Sequence, residues 1–101
     1  MNKLREKLYY AGLENISENL VFRELNDYVK EIKKEIVPKF CTCSICLADV
    51  AAIVLNGLKT NYCTNFMDKG RNKQYRSTYI AKVRRKIAEA FHIVNENPHH
   101  L

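Results

Sequence analysis

The chain has no tryptophan, only three glycines and two prolines among 101 residues, and no apolar run long enough to cross a bilayer. Each scarcity excludes something. A membrane-spanning helix needs about 20 predominantly apolar residues, and Asp49 interrupts the longest apolar segment here. The opening MNKLREKLYY carries charges where a signal peptide has its apolar core, so a cytoplasmic protein without a membrane partner is expected. Few turn-forming residues and no alternating apolar pattern argue against a β-sheet architecture. A chain this small also buries a modest core, so a further source of stability is expected.

Acidic residues are missing from one long stretch. Residues 1–36 carry seven basic and seven acidic side chains, whereas residues 37–101 carry ten basic and four acidic, which places all of the net charge of +6 in the second part. Between residues 69 and 86 there are eight Lys or Arg and no Asp or Glu. Such a stretch attracts phosphates or polyanions when it is not simply a solvated helix face.

What is present is helical. Gly12, Pro38, Gly57, Gly70 and Pro98 stand where helices stop. A short helix is expected over residues 2–11, and Asn15, with Ser17 or Glu18 behind it, offers an N-cap for a second. In that second segment Val21, Leu25, Tyr28, Val29, Ile32 and Ile36 recur at three- and four-residue steps and form one face. Residues 47–56 are apolar nearly all round, which predicts a buried central helix capped by Gly57. A polar loop follows through Asn61, Asn65 and Asp68. Residues 73–95 form a long final helix presenting Tyr75, Tyr79, Ile80, Val83, Ile87, Ala90, Phe91 and Val94. The expectation is a single compact all-α domain covering residues 1–101.

Three of the four cysteines crowd into FCTCSICLADV at residues 40–50. A reducing cytoplasm disfavours disulfides, and a Cys-x-Cys pair bridges only with strain. Zn2+ takes four soft ligands in a tetrahedron, and a turn carrying Cys41, Cys43 and Cys46 supplies three. Cys63 is expected as the fourth: a helix of ten residues rises about 15 Å, and the residues after Gly57 span about 23 Å when extended. His92, His99 and His100 are the other candidates; His92 falls off the apolar face and the last two lie in the terminus. The positive end of the helix dipole favours thiolates, which also fits a redox pair at Cys43 and Cys46. That pair lacks a preceding strand, and Cys41 is better explained by a metal.

The run CTCSICLADVAAIVLNGLKTNY resembles the signature of the late competence protein ComFB family. In that signature a Cys-x-Cys-x-x-Cys unit leads into Asp-Val, an alanine-rich helix, Leu-Asn and a later Tyr. Here these are Cys41, Cys43, Cys46, Asp49, Val50, Ala52, Leu55, Asn56 and Tyr62. ENLVFRELNDYV upstream and AEAFHIVNENPHH at the end, with Pro98 and His100, are similar to the family's flanking segments. Where the family commonly has Pro-Pro, this chain has Lys59 and Thr60. The resemblance implies a helical, non-enzymatic homodimer that holds zinc through its cysteines and acts as a receptor for cyclic di-GMP or cyclic di-AMP.

The residues supply a physical counterpart to that ligand. Two phosphates call for cations and two bases for flat surfaces, and Arg serves both. Arg71, Arg76, Arg84 and Arg85 are interleaved with Tyr62, Tyr75 and Tyr79. The nucleotide-binding set expected is therefore Asn56, Tyr62, Arg71, Arg76 and Arg84. The alternative is a zinc-stabilised nucleic-acid-binding module, which a pI near 9.2 and a basic helix also fit. An enzyme is disfavoured, because no paired carboxylates or Cys and His constellation stands out.

Overall fold

The computed structural model describes residues 3–64 and 71–99, with the side chains of Arg71 and Asn72 outside the description. Among the described residues are four helices, α1 (Lys3–Tyr10), α2 (Ile16–Lys33), α3 (Ser44–Asn56) and α4 (Arg71–Glu96), and a two-residue antiparallel pair of β1 (Glu14–Asn15) with β2 (Tyr62–Cys63). The all-α expectation holds. No helix among the described residues is long and apolar enough to cross a membrane.

Local chemistry sets the helix ends. Leu13 N–H donates to the Leu8 carbonyl and Gly12 N–H to the Tyr9 carbonyl, both at 3.0 Å, and Gly12 takes the positive φ of 104° that this helix ending favours in glycine. Asn15 caps α2 by accepting Ser17 N–H at 3.1 Å on its side-chain oxygen. The same oxygen accepts Asn61 N–H at 3.0 Å, so the cap also anchors the segment before β2. At the end of α3 the Gly57 N–H donates to the Val54 carbonyl at 3.1 Å, and the Lys86 ammonium of α4 reaches over this glycine.

Helices α2 and α4 run parallel, as three pairs at successive levels show. Near the start of both, Ser17 Oγ donates to the Lys59 carbonyl at 2.7 Å, so the Tyr75 hydroxyl at 2.9 Å must be the donor to Ser17. Halfway along, Glu24 meets Arg84, and near the far end the Tyr28 and Phe91 rings stack with centroids 5.0 Å apart. Helix α3 packs against both. Val21, Val50, Val54, Val83, Ile87 and Phe91 are each 2 % exposed or less and form the centre of the core. Burying a side chain of this kind is worth about 1.5–3 kcal/mol.

Two expectations need correction. Ile36 is fully exposed at 100 %, because α2 stops at Lys33 and the face to which Ile36 would have belonged ends with it. Helix α3 is not buried all round: Cys46, Val50 and Val54 face the core, while Ile45, Ala48, Ala52 and Ile53 are exposed. The β1–β2 pair was not foreseen either, since two residues per strand leave no periodicity to read.

Candidate metal centre

The cysteine turn is built by the start of α3. Cys43 is the N-cap in extended conformation (φ −68°, ψ 161°), and its sulfur accepts Cys46 N–H at 3.4 Å while its carbonyl accepts Leu47 N–H at 2.9 Å. A sulfur thus fills the role usually taken by a Ser or Asp oxygen. The spacing then places Cys46 in the first helical turn and Cys41 in the preceding loop. All three sulfurs lie within 4.8 Å of one another. A tetrahedral zinc with Zn–S bonds near 2.3 Å needs sulfur separations of about 3.8 Å, so closure by about 1 Å completes three corners.

Electrostatics divide the three thiols. The Cys46 backbone N–H holds the Cys43 thiol below its ordinary range, partly opposed by burial. Burial pushes the Cys46 thiol up to about 12, reinforced by its hydrogen bonds with Cys43 and Cys41. Cys41 is exposed. The Cys43 thiol therefore gives up its proton to an incoming cation more easily than the buried Cys46 thiol does. The donor set fits a thiophilic metal. A metal held by Cys41, Cys43 and Cys46 would pin the loop to α3.

Cys63 lies elsewhere. It is buried in β2, opposite Glu14, with its sulfur 3.7 Å from Glu14 Oε1. That strand sits at the Ser17–Tyr75 end of the bundle, whereas Phe40 and the cysteine turn sit at the Phe91 end. The stretch of α4 from Tyr75 to Phe91 is about 24 Å long at 1.5 Å per residue. The chain after Gly57 is long enough to return to the cluster, but the hydrogen bonds of Asn61 and the β-pair hold it at the far end.

Around the cluster is a cavity of about 140 Å3 lined by Phe40, Cys41, Cys46, Phe91, Asn95 and Pro98, among others. The Phe40 ring packs on Phe91 and meets the exposed His92 edge-on at 5.0 Å. Beyond Pro98, His99 Nδ1 lies 2.7 Å from Asp49 Oδ2.

The expected nucleotide residues are scattered. Asn56 is the exposed last residue of α3. Tyr62 lines a groove with Leu4, Leu8, Tyr9 and Leu13 of the α1 region. The Arg71 side chain lies outside the described residues. Arg84 is engaged by Glu24, Nε to Oε1 at 2.6 Å, with the Glu24 side chain 1 % exposed. Arg76 shares a cleft with Arg23, Asn19 and Ile16. A second cleft, at the end of α3, brings Lys59, Asn61, Tyr75, Tyr79 and Lys82 together, with the two tyrosine rings 4.5 Å apart. Arg23 was missed because only the parallel packing of α2 and α4 sets it beside Arg76, and Lys59 and Lys82 because the segment after α3 meets α4 only in the folded chain. Glu24 had a signal: it is a carboxylate inside the apolar stripe of α2.

These features define a class, a small helical protein organised around a cysteine turn at a helix start. The family model for late competence development protein ComFB matches residues 14–98, and the chain belongs to that family. Among solved structures, the late competence protein ComFB from Bacillus subtilis is similar, with 26 % sequence identity and a TM-score of 0.65 over 85 % of this chain and 93 % of that one. No curated protein matches the chain.

Proposed function

We propose that this chain is a non-enzymatic regulatory protein of the ComFB family that holds Zn2+ in its cysteine turn, works as a homodimer in the cytoplasm, and binds a cyclic dinucleotide. The ligand class comes from the family resemblance. The observation that carries it onto this chain is the pair of clefts along the first half of α4. Tyr75 and Tyr79 offer flat surfaces beside Lys59 and Lys82, and Arg76 with Arg23 offers two guanidinium groups on the α2 side. Bases stack on such rings, and guanidinium groups take phosphates in bidentate fashion. This moves the nucleotide contacts away from Asn56, Tyr62 and Arg84 and keeps Arg76.

A homodimer is supported by the outward face of α3. Ile45 is 51 % and Ile53 37 % exposed, and Ala48 and Ala52 between them leave room for a close helix approach. A two-fold dimer would present every cleft twice, which suits a ligand with two phosphates and two bases. Light scattering should give twice the 11.8 kDa of one chain at micromolar concentration; a mass near 12 kDa would rule the dimer out.

The basic clefts equally suit the runner-up, a zinc-stabilised nucleic-acid-binding module. Calorimetric titration with cyclic di-GMP, cyclic di-AMP and a short DNA duplex at two salt concentrations separates them. Saturable binding of one small ligand, weakened by R23A and R76A, is the expected result. Binding of the duplex alone, falling steeply with salt, would replace the receptor reading with the runner-up.

A further inference from the structure

Helix α1 buries none of its residues, although Leu4 and Leu8 stand one turn apart on it. We infer that the groove between α1 and β2 docks an amphipathic helix of another protein, one whose apolar face is flanked by Asp and Glu. Five of the six residues lining the groove precede residue 14, where the match to the ComFB family begins. The groove thus lies almost wholly outside the segment this chain shares with its family.

Leu4, Leu8, Tyr9 and Leu13 from the α1 region and Tyr62 of β2 line a hollow of about 410 Å3, with Arg5 at its side. Leu4 is 62 % and Leu8 44 % exposed, so its apolar wall is open to water. The hollow is preformed, because Gly12 N–H on the Tyr9 carbonyl and Leu13 N–H on the Leu8 carbonyl fix the angle at which α1 meets β1. A helix of eight residues is marginal in water when nothing packs on it. A partner seated on Leu4 and Leu8 supplies the packing that α1 lacks.

Charge selects the occupant. At about 100° per residue, Lys3 and Lys7 border the Leu4–Leu8 stripe on one side and Arg5 borders it on the other, while Glu6 falls on the opposite face. The Arg5 guanidinium lies over the Tyr9 ring, 5.5 Å from its centroid, which holds that cation at the rim. Glu14 is turned to Cys63. A groove takes a ridge, and apolar side chains at three- and four-residue steps along a helix form one. Carboxylates on both flanks of that ridge meet cations on both rims. The α1 of a second copy would bring like charges, and a flat lipid surface would leave the hollow unfilled.

Fluorescence anisotropy of the full-length protein with a labelled Leu/Glu peptide of about 16 residues, its leucines at three- and four-residue steps, tests the inference. A Leu/Lys peptide of the same pattern and vesicles of phosphatidylglycerol are the comparisons. Saturable binding of the Leu/Glu peptide is expected, falling as salt is added and about 10-fold or more weaker in L4A/L8A. The variant K3E/R5E/K7E should turn the preference toward the Leu/Lys peptide. All five positions are exposed, so circular dichroism should show both variants folded like the parent. No binding of the Leu/Glu peptide, or equal binding by L4A/L8A, would overturn the docking site. A parent that takes the Leu/Lys peptide as well as the Leu/Glu one would overturn the acidic partner. Vesicle binding without peptide binding would make the face a membrane contact. A dimer that L4A/L8A splits and A52E does not would give the groove to a second copy.

Discussion

Replacing Arg84 by Ala should destabilise the fold far more than a surface arginine does. The Glu24 side chain is 1 % exposed; its Oε1 takes Arg84 Nε at 2.6 Å, and its Oε2 makes no hydrogen bond among the described residues. Without Arg84 the buried carboxylate in the α2–α4 interface loses its one ion-pair partner among the described residues. Breaking a buried pair from one side costs about 3–5 kcal/mol. Arg84 itself is 61 % exposed at the side chain, so water can reach part of the space it leaves, and the low end, about 3 kcal/mol, applies. For a domain of this size that is a fall in melting temperature of more than about 10 °C. Thermal and urea unfolding of R84A and of the double variant E24L/R84L are the assay. The double variant should recover most of the loss, because well-packed apolar residues replace a buried pair at little cost. An R84A protein within about 0.5 kcal/mol of the parent, the range of ordinary surface changes, would show that Glu24 does not depend on Arg84.

Phe91→Ala should cost about 3–5 kcal/mol, since its ring is 2 % exposed and packs against both Tyr28 and Phe40; urea midpoints measure this. In the metal-free protein, Cys46 binds its proton more tightly when folded, with its thiol raised from 9.0 to about 12. That stability contribution is fully present below pH 9 and is lost as the pH climbs toward 12, so metal-free samples should lose stability across that window and C46A should flatten the loss. Because the same thiol must lose its proton to bind metal, zinc affinity should rise with pH, as competition with a chelator at pH 6 and pH 8 would reveal. Charging the outer face of α3 with A52E should leave a folded monomer by light scattering if that face joins two copies.

Much of the fold was legible because its signals are local. Asn15 and Gly12 act through a side-chain oxygen or a missing Cβ, within a few residues of the ends they set, and the four-residue spacing of Val83, Ile87 and Phe91 places these three on one face wherever the helix goes. Cys41, Cys43 and Cys46 were readable for the same reason: a turn of six residues cannot hold their sulfurs far apart. Cys63 was not readable, since its position depends on hydrogen bonds from Asn61 to Asn15 across 46 residues of sequence. Arg84 looked like a free cation for the same reason, with its acid sixty residues upstream on another helix. Glu24 in the apolar stripe of α2 was the available hint that a charge from elsewhere must meet it.

The zinc content of gently purified protein, measured by elemental analysis beside circular dichroism, tests most directly whether the cysteine turn is a metal centre. About one Zn2+ per chain is predicted for the parent and for C63S, with loss of the metal and a lower melting temperature in C43S and C46S. A parent protein that is fully folded and free of zinc, or a C63S variant that loses its zinc while C43S keeps it, would contradict the account.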